Sequence, residues 1–405
     1  MANVELTLDQ ENLVRKAAES ESFNDFDILA NIGTAKGDNY LGVIHSVTVT
    51  EKNDETKVLH LICKSAHIID NFRAMVPIIK MFKRESDLYE IVGKLREYQN
   101  EKALSRPFDG VAKFYGSCLE EKRETILMKN LKKDGYKLWD RMTPMNDEHL
   151  SAVFAEYARF HALSFAFKHQ NPDRFEELSK DIKTDVFMDT ETEDAKEKFG
   201  HFVQYYFKNG LNTVEGNARA TAELEKLREV IGQKFETLGL TKKAVITHGD
   251  CWCNNILFRY ENNNNTPSKV CFIDWQLSKV GSPALDLTYF FSASGSKETY
   301  ANINKYLKTY HETLSQNLQE LGCNPEGILS FDDLLDEWKN TAWYGVFIGM
   351  MILKIMLTES DEVPDYEKLE SDDNMTAFSY EVKRSADYKQ RLCDLIEFMA
   401  DYGYL

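Results

Sequence analysis

Apolar positions along the chain change their period several times, and each change marks a different element. Over residues 8–23, Leu8, Leu13, Ala17 and Ala18 fall roughly on one face of a helix. From Phe26 the stretches FDILANIG, YLGVIHSVTVT and KVLHLICKSA read as three short strands. The turn-rich GTAKGDN and EKNDET separate them, so antiparallel hairpins are expected. MVPIIKMFKRESDLYEIVGKLREYQ has helical spacing, broken early by Pro77. VAKFYGSCL and ETILMKNL add two further strands. After KKDGYK the chain turns helical, with amphipathic segments at HLSAVFAEYARFHALSFAF and around 200–238 and 300–321. Near 244–275 the pattern breaks: KAVITHG, NILFRY and VCFIDW read as strands, the last two joined by ENNNNTPS as a hairpin loop. No internal repeat is visible. The expectation is an α+β chain in two lobes: a small β-rich lobe with one long helix over 1–130, and a large, mainly helical lobe over 131–405.

Composition narrows this little. Of 405 residues, 43% are hydrophobic and 28% charged, which is ordinary for a folded globular protein of two lobes. Charge excludes more. Forty-nine Lys and Arg stand against 66 Asp and Glu, a net of -17, which repels nucleic acid and anionic membrane. A small molecule is the expected partner, and any bound phosphate must rely on local cations or metal ions. The N-terminus lacks the basic start and apolar run of a signal peptide. The longest apolar stretch, WYGVFIGMMILKIML, is short of a membrane span and contains Lys354, so it reads as a buried helix. Seven Cys occur with no C-x-x-C pair, which points to free thiols in a reducing cytoplasm.

The chemistry gathers around ITHGDCWCNNILF and the later VCFIDWQ. Asp250 follows a strand, Asn255 comes five residues later, and Asp274 follows the hairpin. Kinase-like folds use this arrangement for phosphoryl transfer. Asp250 would hold an acceptor hydroxyl and take its proton. Asn255 and Asp274 supply the hard oxygens that Mg²⁺ requires. In the first lobe, Lys64 on its strand is placed to reach the phosphates of ATP, and Glu85 in FKRESDLY to pair with Lys64. GTAKGDNYLG, with Gly37, Asn39 and Gly42, is placed to cover the phosphates with backbone N–H groups.

At these residues the chain resembles the ecdysteroid kinase-like family, also called CHK kinase-like, which is related to choline kinases and aminoglycoside phosphotransferases. GDNYLGVI, FKRESDLY, ARFHALSFAF and SPALDLTYF extend the likeness beyond the core motif. The resemblance implies a two-lobed protein-kinase-like fold and ATP-dependent phosphorylation of a hydroxyl on a small molecule. It implies Asp250 as catalytic base, Asn255 and Asp274 as metal ligands, and Lys64 with Glu85 as the phosphate-positioning pair. His248 and Asp286 resemble supports of the catalytic loop. Two departures stand out. Lys129-Asn130 replaces the family's usual acidic pair, and Trp252 stands where protein kinases often have Lys, which argues against a protein substrate.

For the acceptor, Trp338, Trp343, Tyr344, Phe347, Met350 and Met351 either line an apolar pocket for a steroid or other lipophile or form core. The competing reading of the whole chain is a catalytically silent protein that sequesters a hydrophobic ligand. The complete set of Lys64, Glu85, Asp250, Asn255 and Asp274 favours the enzyme, with a xenobiotic or ecdysteroid alcohol as substrate.

Overall fold

Strands β1 (Phe26–Ile32), β2 (Gly42–Glu51), β3 (Asp54–Ala66), β4 (Phe114–Cys118) and β5 (Thr125–Lys129) form one antiparallel sheet in the order β1-β2-β3-β5-β4. The computed structural model describes residues 3–33, 42–70, 73, 76–183, 193–261, 265–362 and 382–405. On β3 the two-residue period does the sorting. Leu59, Leu61 and Cys63 join Val47, Val49 and Leu127 beneath Val14, Ala17 and Ala18 of helix α1 (Leu8–Ser20). Ile62, Lys64 and Ala66 therefore take the other face. There Ala66, Ile126 and Met128 belong to a second core, continuous with the helices that follow.

Helix α2 (Ile78–Asn100) starts immediately after Pro77, as the ring's missing N–H favours. Its buried stripe runs Met81, Phe82, Glu85, Leu88, Tyr89 and Val92. A carboxylate in the middle of an apolar stripe demands a cation, and this fixes how α2 meets the sheet.

Past β5, the short β6 (Tyr136–Leu138) pairs with β8 (Ile256–Tyr260), which pairs with β9 (Pro267–Phe272). Helix α3 (Asp147–Gln170) is buried along most of its length. The helical run expected around 200–238 is two helices, α4 (Glu193–Thr213) and α5 (Ala218–Glu236), separated where Gly216 takes a left-handed turn. VITHG forms only a two-residue strand, β7 (Val245–Ile246). Its antiparallel partner β10 (Val280–Gly281) is too short to be read from periodicity. Helices α6 (Pro283–Ser294), α7 (Ile303–Glu320), α8 (Phe331–Met356) and α9 (Ser385–Asp401) complete the second part.

The apolar stretch in α8 is a buried helix, and no helix among the described residues is long and apolar enough to cross a membrane. Of its six candidate pocket residues, Trp338, Trp343, Phe347 and Met350 are core, while Tyr344 and Met351 are only partly buried. All seven cysteines are free.

Candidate active site

Alternation on β3 aims Lys64 away from the α1 side, and the helical period of α2 aims Glu85 at it. Lys64 Nζ donates to Glu85 Oε2 at 2.6 Å and to Asp274 Oδ1 at 2.6 Å, joining residues 210 positions apart. Burial opposes the charge on Lys64, yet Asp274 and Glu85 hold its ammonium well above the ordinary lysine value. Burial pushes the Glu85 carboxyl up, to about 7, against the pull of Lys64. Glu85 Oε1 is buried with no hydrogen-bond partner among the described residues, so the site retains acceptor capacity for a further donor.

Asp274 sits just after β9, at φ 66. A left-handed non-glycine residue is strained, and here it turns the chain sharply between Phe272 and the fully buried Trp275.

The loop after β7 is built from backbone accounting. Asp286 on α6 is completely buried. Its Oδ2 accepts the N–H of His248 at 2.7 Å and faces His161 Nε2 at 3.1 Å. Its Oδ1 accepts the N–H of Gly249 at 2.9 Å and the thiol of Cys251 at 3.2 Å. Burial alone would raise the Asp286 carboxyl, but the bond from His161 and the neighbouring donors hold it below the usual carboxylate range. Burial lowers the pKa of His248 and keeps the ring neutral. Its partners select the tautomer: Nε2–H donates to the Ile273 carbonyl at 3.0 Å, and Nδ1 accepts the N–H of Asp250 at 3.2 Å. Gly249 has φ +85, and a Cβ there would lie 2.2 Å from the Leu277 carbonyl oxygen. Only glycine passes.

This scaffold delivers Asp250 and Asn255 together. Asn255 Nδ2 donates to Asp250 Oδ2 at 2.8 Å and to its carbonyl at 3.0 Å. Burial, and then the negative charge of Asp274, push the Asp250 carboxyl up to about 6, while bonds from Tyr289, Asn255 and Gln276 work against them. The donor set suits a hard cation. Asp274 offers carboxylate oxygen, and the hydrogen bonds of the Asn255 side chain run through Nδ2, which leaves Oδ1 as an oxygen ligand.

Gly37 and Asn39 lie outside the described residues. Gly42 opens β2, where a Cβ would meet the Ser65 carbonyl oxygen at 2.2 Å, so the close approach it permits is between strands. At Lys129-Asn130, the Asn130 side chain caps the turn Leu131–Asp134 by accepting the N–H of Lys132 and donates to Ser46 Oγ at 3.2 Å. Lys129 pairs with Asp134. Trp252 is buried.

Sequence reasoning does not reach Tyr289 or Arg84. Tyr289 donates its hydroxyl to Asp250 Oδ1 at 2.9 Å. Arg84, beside Glu85, donates to the carbonyls of Ser278 at 2.5 Å and Asp181 at 3.2 Å, tying α2 to the segment that follows Asp274. The available signals were an i, i+3 spacing from Asp286 to Tyr289 and a second charge in an otherwise buried turn of α2.

A sequence profile of the ecdysteroid kinase-like family matches residues 36–323, most of the chain and all the residues just described. The chain belongs to the ecdysteroid kinase-like family. It is also similar to a 4-hydroxytryptamine kinase of Psilocybe cyanescens, at 31% identity over 51 residues. That match spans 13% of this chain and 14% of the fungal protein. Among solved structures, an ethanolamine kinase of Plasmodium vivax aligns over 97% of this chain and 86% of its own, at 11% identity and a TM-score of 0.46. A choline kinase of Streptococcus pneumoniae aligns over 84% and 99%, at 12% identity and a TM-score of 0.37.

Proposed function

We propose that this family member is an ATP-dependent small-molecule kinase that transfers the γ-phosphoryl group to a hydroxyl of an ecdysteroid or another lipophilic alcohol. The observation that carries the reading is the convergence of Lys64, Glu85 and Asp274, from three distant elements, beside a loop that presents Asp250 and Asn255. Family membership and the names of the relatives support the reaction class.

In this reading the nucleotide lies between the sheet and the helical part, with the lobe boundary at Asn130–Leu131. Lys64, held by Glu85, meets the phosphates. Gly37 and Asn39 belong to the loop that covers them. Asp250 accepts a hydrogen bond from the acceptor hydroxyl, orients its oxygen toward phosphorus and takes the proton as the new O–P bond forms and the bond to ADP breaks. A loose transition state releases that proton late, so a carboxylate is a sufficient base. Asn255 and Asp274 would hold Mg²⁺, whose chemistry is to neutralise charge on the phosphates. The buried aromatic stripe of α8 weighs against a purely ligand-sequestering protein, because four of its six candidates are already enclosed in core.

The test is a mass-spectrometric screen. The protein with Mg²⁺ and ATP is offered ecdysteroids, hydroxylated plant compounds, choline and aminoglycosides, with Asp250→Asn as control. Phosphate gain on a lipophilic alcohol, absent with the variant, is expected. Equal binding of a lipophile by both proteins with no product would favour the silent binder.

A further inference from the structure

We propose that Tyr289 is a positioning residue for phosphoryl transfer, acting through Asp250; this rests on the reading of Asp250 as the group that holds the acceptor hydroxyl. The carboxylate of Asp250 is gripped at both oxygens: Asn255 Nδ2 donates to Oδ2 at 2.8 Å and the Tyr289 hydroxyl to Oδ1 at 2.9 Å. The terminal torsion of an aspartate is soft, so losing the donor on either oxygen loosens the carboxylate plane, although Gln276 also bonds to this carboxyl. Two donors on opposite oxygens fix it, and with it the direction from which an acceptor hydroxyl can be held.

The placement follows from one turn of α6. Asp286 and Tyr289 are three residues apart and share a helix face. Asp286 takes the backbone N–H groups of His248 and Gly249, while Tyr289 reaches the carboxylate two residues further on. The same helical turn thus sets both the backbone and the side chain of the loop. Tyr289 is enclosed, and burial keeps its phenol protonated, so it serves as a donor. Phenylalanine would fill the same space and remove only that donor.

The experiment is a double-mutant cycle on the full chain: wild type, Tyr289→Phe, Asp250→Ala and the double variant. Two readouts are taken, hydrolysis of MgATP with water as acceptor and thermal unfolding. Tyr289→Phe is expected to lower kcat roughly tenfold, as a small misplacement of a reacting group does, with KM for MgATP unchanged. In the Asp250→Ala background the same change should cost nothing further. An equal fold loss in both backgrounds, or no loss in either, overturns the proposal. If Asp250→Ala keeps the wild-type rate, the reading of Asp250 fails first, and the proposal falls with it. Should hydrolysis be too slow to follow, the shifts in melting temperature decide: non-additive shifts support the coupling and additive ones refute it.

Discussion

Replacing Asp286 by Asn exchanges one carboxylate oxygen for an NH₂ group and should undo the loop that carries Asp250. Each Asp286 oxygen faces two donors, including the backbone N–H groups of His248 and Gly249. An amide keeps one oxygen, so its NH₂ must point at one of those backbone N–H groups in a region without solvent. Two hydrogen bonds to a charged acceptor are lost, at about 1.5–3 kcal/mol each, or roughly 3–6 kcal/mol together. Against a total stability of about 5–15 kcal/mol this is a large fraction, and for a chain of 405 residues a fall in melting temperature of roughly 4–7 °C is expected. Activity should fall further than stability explains, because Asp250 loses its fixed approach; KM for MgATP should move little. The pH dependence has a definite sign. The folded carboxyl of Asp286 titrates below its ordinary value of 3.8, so its contribution is complete above 3.8 and is lost as pH falls beneath it. The stability gap between wild type and Asp286→Asn should therefore close in acid. Differential scanning calorimetry across pH and steady-state kinetics give both readouts. An unchanged melting temperature at neutral pH, with unchanged kcat, would refute the reasoning.

Other sites give independent checks. Lys64→Met leaves two carboxylates without their cation and should cost about 3–5 kcal/mol in urea unfolding, with MgATP affinity sharply reduced; normal MgATP binding would contradict the role given to Lys64. Gly249→Ala meets both a left-handed φ of +85 and the Leu277 carbonyl, so it should destabilise by more than the ~1–2 kcal/mol of the backbone conformation alone; a stable, active variant would mean the loop can re-route. His248 is buried with a depressed pKa, so its contribution is full above the ordinary value of 6.5 and declines as pH falls below it. His248→Asn should flatten that part of the stability profile, and an identical slope would assign it elsewhere. Trp338→Ala should cost about 3–5 kcal/mol without altering lipophile binding, as befits core.

Much of this was legible because the decisive residues break the pattern around them. Lys64 interrupts a strand whose two-residue period sends it away from the α1 core, and Glu85 interrupts an apolar helical stripe, so each advertised a need for the other. Asp250, Asn255 and Asp274 stand at strand ends, where side chains leave the sheet. Tyr289 was hidden because PALDLTYFFSAS is apolar almost throughout, and a tyrosine in such a run reads as packing. Its partner lies 39 residues away, on a loop whose path no local pattern sets. Strand β10 was hidden by its length: two residues carry no period. The Ser65 carbonyl that requires glycine at position 42 belongs to the neighbouring strand, a contact that no local pattern announces. In α8 nearly every position past Thr341 is apolar, and a helix apolar all round gives no face to separate pocket from core. Burial decides what spacing could not.

The central claim is that Asp250 serves the transfer of phosphate and not the binding of nucleotide. A ³¹P NMR time course with MgATP and an ecdysteroid alcohol tests it most directly, run on wild type and Asp250→Asn, with the Kd for MgATP measured on both. ADP and a phosphomonoester should rise together with wild type, while the variant binds MgATP equally well and forms neither. A variant that still makes the phosphomonoester at the wild-type rate would contradict it.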